Sequence, residues 1–162
     1  MLSEVFCGRM GVLRFGVMMM PRFYLPLPVK TGQTVELPEA IARHIQVLRL
    51  QVNDNITLFD GKGLAFFAAI TAIHKRSISV QIGNATHDAQ EPALKISLVQ
   101  ALSSSDRMDF SIQKAVELGV SHIQPLLTER SARLAADRSE KRQQHWQQVI
   151  IAACEQCGRN TL

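Results

Sequence analysis

Cys154-Glu-Gln-Cys157 sets two thiols three residues apart, the spacing of a redox pair or of half a zinc site. A zinc site needs four ligands, and no second C-x-x-C or H-x-H cluster is present, so no metal is expected. A redox pair works at a helix N-terminus, where the dipole lowers a thiol pKa, whereas this pair falls at a helix C-terminal end. Two small residues near a helix terminus is the better reading. Ser103-Ser104-Ser105-Asp106 follows a strand pattern and precedes a helical one, where free backbone N–H groups can hold a phosphate. Neither G-x-G-x-x-G nor G-x-x-x-x-G-K-[ST] occurs, so a polar loop serves equally well there. Arg22, Arg43 and Arg49 are able to face a phosphate backbone bidentately, with His44 beside them, although a solvated face explains them too. Arg107, Lys114, Glu129, Arg130, Glu155, Gln156 and Arg159 fall at the ends of strands and helices of an α/β unit, where such folds place their sites. Structural ion pairing is the competing explanation.

These residues need elements to position them. From Pro21 to about Thr86, Thr34 to Leu37, Asn55 to Phe59, Leu64 to Ile73 and Ser77 to Ile82 read as short strands. Asp60-Gly61-Lys62-Gly63 supplies turn chemistry between two of them. A short helix opens near Pro38, with Ile41, Ile45 and Leu48 as its apolar stripe. Several short strands and one helix point to a small β-barrel. Residues 84–93 carry no periodicity and read as connecting chain. Lys95 to Leu102 is then a buried-strand pattern. A helix follows, capped by Asp106, with Met108, Ile112, Ala115 and Val116 on one face and Gly119 just past its end. Val120 to Leu127 completes a βαβ unit, which implies a parallel sheet. A last helix starts near Ser139, with Trp146, Val149, Ile150 and Ala153 as its stripe, and stops around Gly158.

Composition limits the rest. The 162 residues are 46% hydrophobic and 20% charged, with a mean hydropathy of +0.03, which excludes a disordered or collagen-like chain. No apolar run reaches transmembrane length. Three cysteines are too few for a disulfide framework, and a cytoplasmic setting is expected. The net charge is +4. Residues 1–90 hold nine basic and six acidic side chains, and residues 91–162 nine and eight. The first part is thus the better candidate for a phosphate-facing surface. Residues 1–19 lack the long apolar block of a secretory signal and read as an extension before Met20-Pro21-Arg22-Phe23.

Several blocks carry a resemblance. Pro21-Arg-Phe-Tyr24, His44-Ile-Gln-Val-Leu-Arg49, Leu58-Phe-Asp-Gly61, Arg107 to Val120, Pro125-Leu-Leu-Thr-Glu-Arg-Ser131, Trp146 and Ala153-Cys-Glu-Gln-Cys-Gly-Arg159 occur in the order of the ribosomal RNA small subunit methyltransferase E family. Taken together, residues 20–162 resemble that family throughout. The resemblance implies an α+β chain: a PUA-like RNA-binding barrel over 20–88, a linker over 89–93, and over 94–162 the first part of a SPOUT-type, knotted Rossmann-like α/β domain. It implies methyl transfer from S-adenosylmethionine to N3 of a uridine in 16S ribosomal RNA, by a homodimer acting on that RNA or on the small ribosomal subunit. Arg22, His44 and Arg49 match the family pattern in the barrel and are expected to hold RNA. Arg107, Lys114, Glu129, Arg130, Glu155, Gln156 and Arg159 match its α/β blocks and are candidates for the active cleft, with no one of them assigned as the base. The family's Gly-Pro-Glu-Gly-Gly and Arg-Ile-Leu-Arg segments, which build the cofactor pocket, are absent from these residues. The chain is therefore expected to be a truncated form without a normal cofactor pocket, and a non-catalytic RNA-binding fragment is the alternative.

Overall fold

The structure is a computed structural model, and it describes residues 20–86, 91–129, 131 and 139–162. Its first part is a five-stranded sheet in the order β1-β3-β4-β5-β2. The strands are β1 (Arg22–Tyr24), β2 (Thr34–Glu36), β3 (Asn55–Phe59), β4 (Ala65–Ile73) and β5 (Ile78–Thr86). β1 lies parallel to β3, and the remaining pairs are antiparallel. Two register shifts in the β4–β5 pair add local twist, as bulges do. The sheet thereby curls about one core, in which Phe23, Ile56, Leu58, Ile70, Val80 and Ile82 meet.

Helix α1 (Glu39–Val47) covers that core with Ile41, Ala42 and Ile45. Pro38 stands at its N-cap, where a missing N–H costs nothing. Leu48, expected on the apolar stripe, is 45% exposed, because the helix has closed by then and the chain turns away. Its end is a Schellman turn: Leu50 N–H donates to Ile45 O and Arg49 N–H to Gln46 O, with Arg49 at φ 58.

The second part is a βαβ unit of β6 (Ser97–Ala101), α2 (Ser105–Glu117) and β7 (His122–Leu126), followed by α3 (Ser139–Cys157). β6 and β7 pair in parallel, Ser97 opposite His122 and Ala101 opposite Leu126. Both helices cover one face, where Leu102, Met108, Ile112 and Trp146 form a cluster. Ser104, rather than Asp106, is the N-cap of α2, and Asp106 lies within the first turn, where its charge complements the helix dipole. Gly119 closes α2 in the same Schellman pattern as Arg49 closes α1. It sits at φ +84. On the other sheet face Val99 is 62% exposed and Leu126 47% exposed, and among the described residues nothing covers it.

β5 runs on through Thr86, so the residues 84–86 read as connecting chain are strand. Thr86 pairs with Ala65, Ala85 with Phe66, and backbone pairing of this kind needs no alternating side-chain pattern. The expected extension over 1–19 and residues 87–90 lie outside the described residues.

Candidate nucleic-acid interface and the seam behind it

Alternation along β3 decides how the two parts meet. Ile56 and Leu58 point into the curled core, while Phe59 points the other way, fully buried against Ala65, Val116, Ala153 and Cys154. The outer face of the β3–β4 hairpin thus docks on α2 and α3. Three polar ties reinforce the seam. Glu155 Oε1 accepts the Tyr24 backbone N–H at 3.0 Å. Arg22 Nη2 donates to Asn160 Oδ1 at 2.5 Å, and its guanidinium lies 5.3 Å from the Phe59 ring centre. The backbone at Gly61 and Gly63 bonds to Leu162 and Asn160. Gly61, at φ +74, leaves room for this: a Cβ there would meet Tyr24 at 2.9 Å and Leu162 at 3.0 Å.

Arg159 is the most committed side chain of the set. It is 7% exposed, grips Glu91 with Nε and Nη2 at 3.0 and 2.8 Å, and donates through Nη1 to Val116 O and Val120 O. A guanidinium on the last carbonyls of α2 satisfies orphan acceptors and opposes the helix dipole. The Glu91 carboxylate beside it pushes its pKa up, so it is a permanent cation. Arg22, Glu155 and Arg159, candidates from two widely separated segments, are therefore gathered at one seam and bonded inward.

The remaining α/β candidates divide between the two edges of the β6–β7 sheet. Arg107, exposed in the first turn of α2, and Glu129, exposed after β7, lie at the carboxyl edge, where open α/β sheets bind ligands. Lys114 and Gln156 belong to the opposite, amino edge, towards which α2 and α3 end. Lys114 binds Glu117 at 2.7 Å and holds that carboxyl below its usual range. Arg130 lies outside the described residues.

The barrel's outward cations form a different group. Arg43, His44 and Arg49 are exposed on or just beyond α1. Gln46 Nε2 donates to His74 O and Lys75 O at the β4–β5 turn, which brings Lys75 and Arg76 beside Arg43 around a small hollow. Of these, Arg43 pairs with Glu39 at 2.9 Å. Lys75 and Arg76 lie some thirty positions from α1, with only their turn setting as a sequence signal, and sequence reasoning missed them. This face has the charge and exposure to follow a phosphate backbone.

The thiols do not add a redox site. Cys154 is buried, with Sγ 3.6 Å from Thr161 O, and burial pushes its pKa up to about 12. At neutral pH it is a neutral thiol, and the thiolate is the reactive form. Among the described residues no group of three or more His, Cys, Asp or Glu is placed to hold a metal ion.

Comparison with known proteins follows this division of the chain. Residues 37–83 match a family model described as an RNA methyltransferase PUA domain, and residues 90–162 one described as an RNA methyltransferase domain. A ribosomal RNA small subunit methyltransferase E from Buchnera aphidicola is 33% identical over 144 residues, covering 88% of this chain and 58% of its own. The crystal structure of the Neisseria gonorrhoeae methyltransferase E bound to S-adenosyl methionine superposes with a TM-score of 0.85 at 51% identity, over 88% of this chain and 60% of that one. The chain belongs to the ribosomal RNA small subunit methyltransferase E family. A methyltransferase from Legionella pneumophila in complex with SAM superposes at a TM-score of 0.84 and 38% identity. The chain spans about three-fifths of the length of these methyltransferase E relatives and solved structures.

Among the described residues three cavities lie at the seam, at the amino edge of the sheet and between α2 and α3. None of them is lined by residues of the carboxyl ends of β6 and β7. Among the described residues these cavities do not provide a site for S-adenosylmethionine at the edge where open α/β sheets bind ligands.

Proposed function

We propose that this chain forms the RNA-holding part, and the first part of the catalytic domain, of an enzyme that methylates N3 of a uridine in 16S ribosomal RNA with S-adenosylmethionine. The observation that carries this is the curled sheet with its cationic α1 face, fixed through Phe59, Arg22 and Arg159 to a βαβ unit in the arrangement of the S-adenosylmethionine-bound relatives. Arg43, Arg49, Lys75 and Arg76, with His44 beside them, contact the RNA backbone and set its register. The target base is turned out of its stack to be reached, and methylation at N3 requires a base to take its proton. Arg107 and Glu129, at the carboxyl edge, are the candidates of this chain nearest that event. The enzyme acts as a homodimer in the cytoplasm. Among the described residues no helix is long and apolar enough to cross a membrane.

A second reading, a non-catalytic RNA-binding fragment, is favoured by the exposure of Val99 and Leu126 on one face of β6–β7 among the described residues, since parallel sheets are normally covered on both faces. Methyl transfer separates the two: the enzyme reading predicts labelled methyl incorporated into 16S RNA by the protein with S-adenosylmethionine, and the fragment reading predicts none. RNA association that weakens steeply with salt is expected in both. Association indifferent to Arg43→Ala with Arg49→Ala removes the proposed interface.

A further inference from the structure

A cleft of about 540 Å³ opens between α1 and the second half of α3, a volume within the range of small-ligand sites, which favour domain junctions. Its barrel wall is Tyr24, Pro26, Pro38 and Ile41, and its opposite wall is Ile151 and Ala152. Two apolar walls, one of them carrying an aromatic ring, suit a flat, π-faced group. The polar groups are few. The Gln148 amide, exposed on α3, makes no hydrogen bond among the described residues and carries both a donor and an acceptor. The His44 ring stands edge-on to Phe23 at 5.2 Å. Glu155, the one carboxylate lining the cleft, accepts the Tyr24 N–H. Cations stand outside it, on α1 and just beyond, and the acid of that helix, Glu39, is paired with Arg43. A neutral ring complements a lining whose charged side chain is a carboxylate, and His44, which lines the cleft, belongs to the same helix as the cationic face.

We propose that the cleft binds one unstacked nucleobase of single-stranded RNA, stacked against Tyr24 and read at its edge by Gln148. This rests on the RNA reading above and adds to it a second base site. The cleft lies along the part of α3 that runs to the amino edge of the sheet, whereas ligand chemistry in such folds belongs to the carboxyl edge. Bases held in a duplex cannot enter, because both their faces are already stacked.

The test uses fluorescence anisotropy of this chain with a labelled uridine pentanucleotide and with a short RNA duplex. Ile151→Trp fills the cleft, and Gln148→Ala, an exposed change that leaves folding intact, removes the amide. Each variant is expected to weaken the pentanucleotide roughly tenfold, the scale of one lost base contact, with duplex binding unchanged. Equal binding of the pentanucleotide by wild type and Gln148→Ala, or equal losses on both RNAs, overturns the base site while the RNA reading stands. Failure of the wild-type chain to bind either RNA overturns both. Uptake of an apolar dye that the pentanucleotide does not displace marks a groove for a protein segment and overturns the proposal.

Discussion

Arg49 and Gly119 hold the same backbone position in two helix ends, and the contrast separates function from folding. Both close a Schellman turn with positive φ. Glycine does so without cost, whereas an arginine pays roughly 1–2 kcal/mol for its Cβ. A strained residue points to a task for its side chain, and here that side chain is an exposed cation. Arg49→Gly is expected to leave stability unchanged or raise it by up to about 1 kcal/mol. The same substitution should lower the slope of log K against log salt for RNA by about one. Denaturant titration and binding across salt concentrations check the two halves. Cys154 offers a pH test. Its thiol pKa rises from 9.0 in the unfolded chain to about 12 in the fold. Between those values the unfolded state binds fewer protons, so stability falls as pH rises. Melting curves from pH 8 to 11 should show that loss, and Cys154→Ala should flatten it.

At the scale of elements, the end of α2 is held by contacts from two other segments. Pro92 packs so closely that a Cβ on Gly119 would stand 2.3 Å from its Cγ, and Arg159 bonds the carbonyls beside it. Gly119→Ala is expected to cost about 2–4 kcal/mol, from the left-handed backbone and the overlap together. Pro92→Ala should recover the overlap share, and a double-mutant cycle in denaturant measures it. The elements themselves were legible where side chains follow a period, as in α1, α2 and β3. Three features were not. The three residues of β1 are too short for a period, β5 extends through Asn84, Ala85 and Thr86 on backbone pairing alone, and Ser104 took the N-cap from Asp106.

For the whole molecule, the docking of the curled sheet on the βαβ unit is the organising event. Arg159 ties Glu91, the end of α2 and the closing segment of the chain together. Arg159→Lys keeps the charge but cannot fork, so it should destabilise by about 2 kcal/mol. Arg159→Met strands the half-buried Glu91 carboxylate and should cost about 3–5 kcal/mol. Thermal melts followed by emission of the single tryptophan, Trp146, which packs between α2 and the sheet, report both. A ranking with Lys as costly as Met would show that the forked geometry, not the charge, is what the site requires.

The sequence by itself determined the two-part organisation, the type of most elements, the cationic bias of the first part and the family. Each is written in local periods, turn residues and blocks of recognisable order. It also supplied Arg22, Glu155 and Arg159 as candidates, since their residue types suit RNA and catalysis. Only the tertiary structure decided what those three face. Arg22 and Arg159 meet Asn160 and Glu91 across 138 and 68 positions, and a charge is as well suited to an internal ion pair as to a phosphate until its neighbours are known. The same long-range folding brought Lys75 and Arg76 to α1 and opened the cleft beside His44. A surface or a cavity belongs to several segments at once, and no single stretch of sequence contains it.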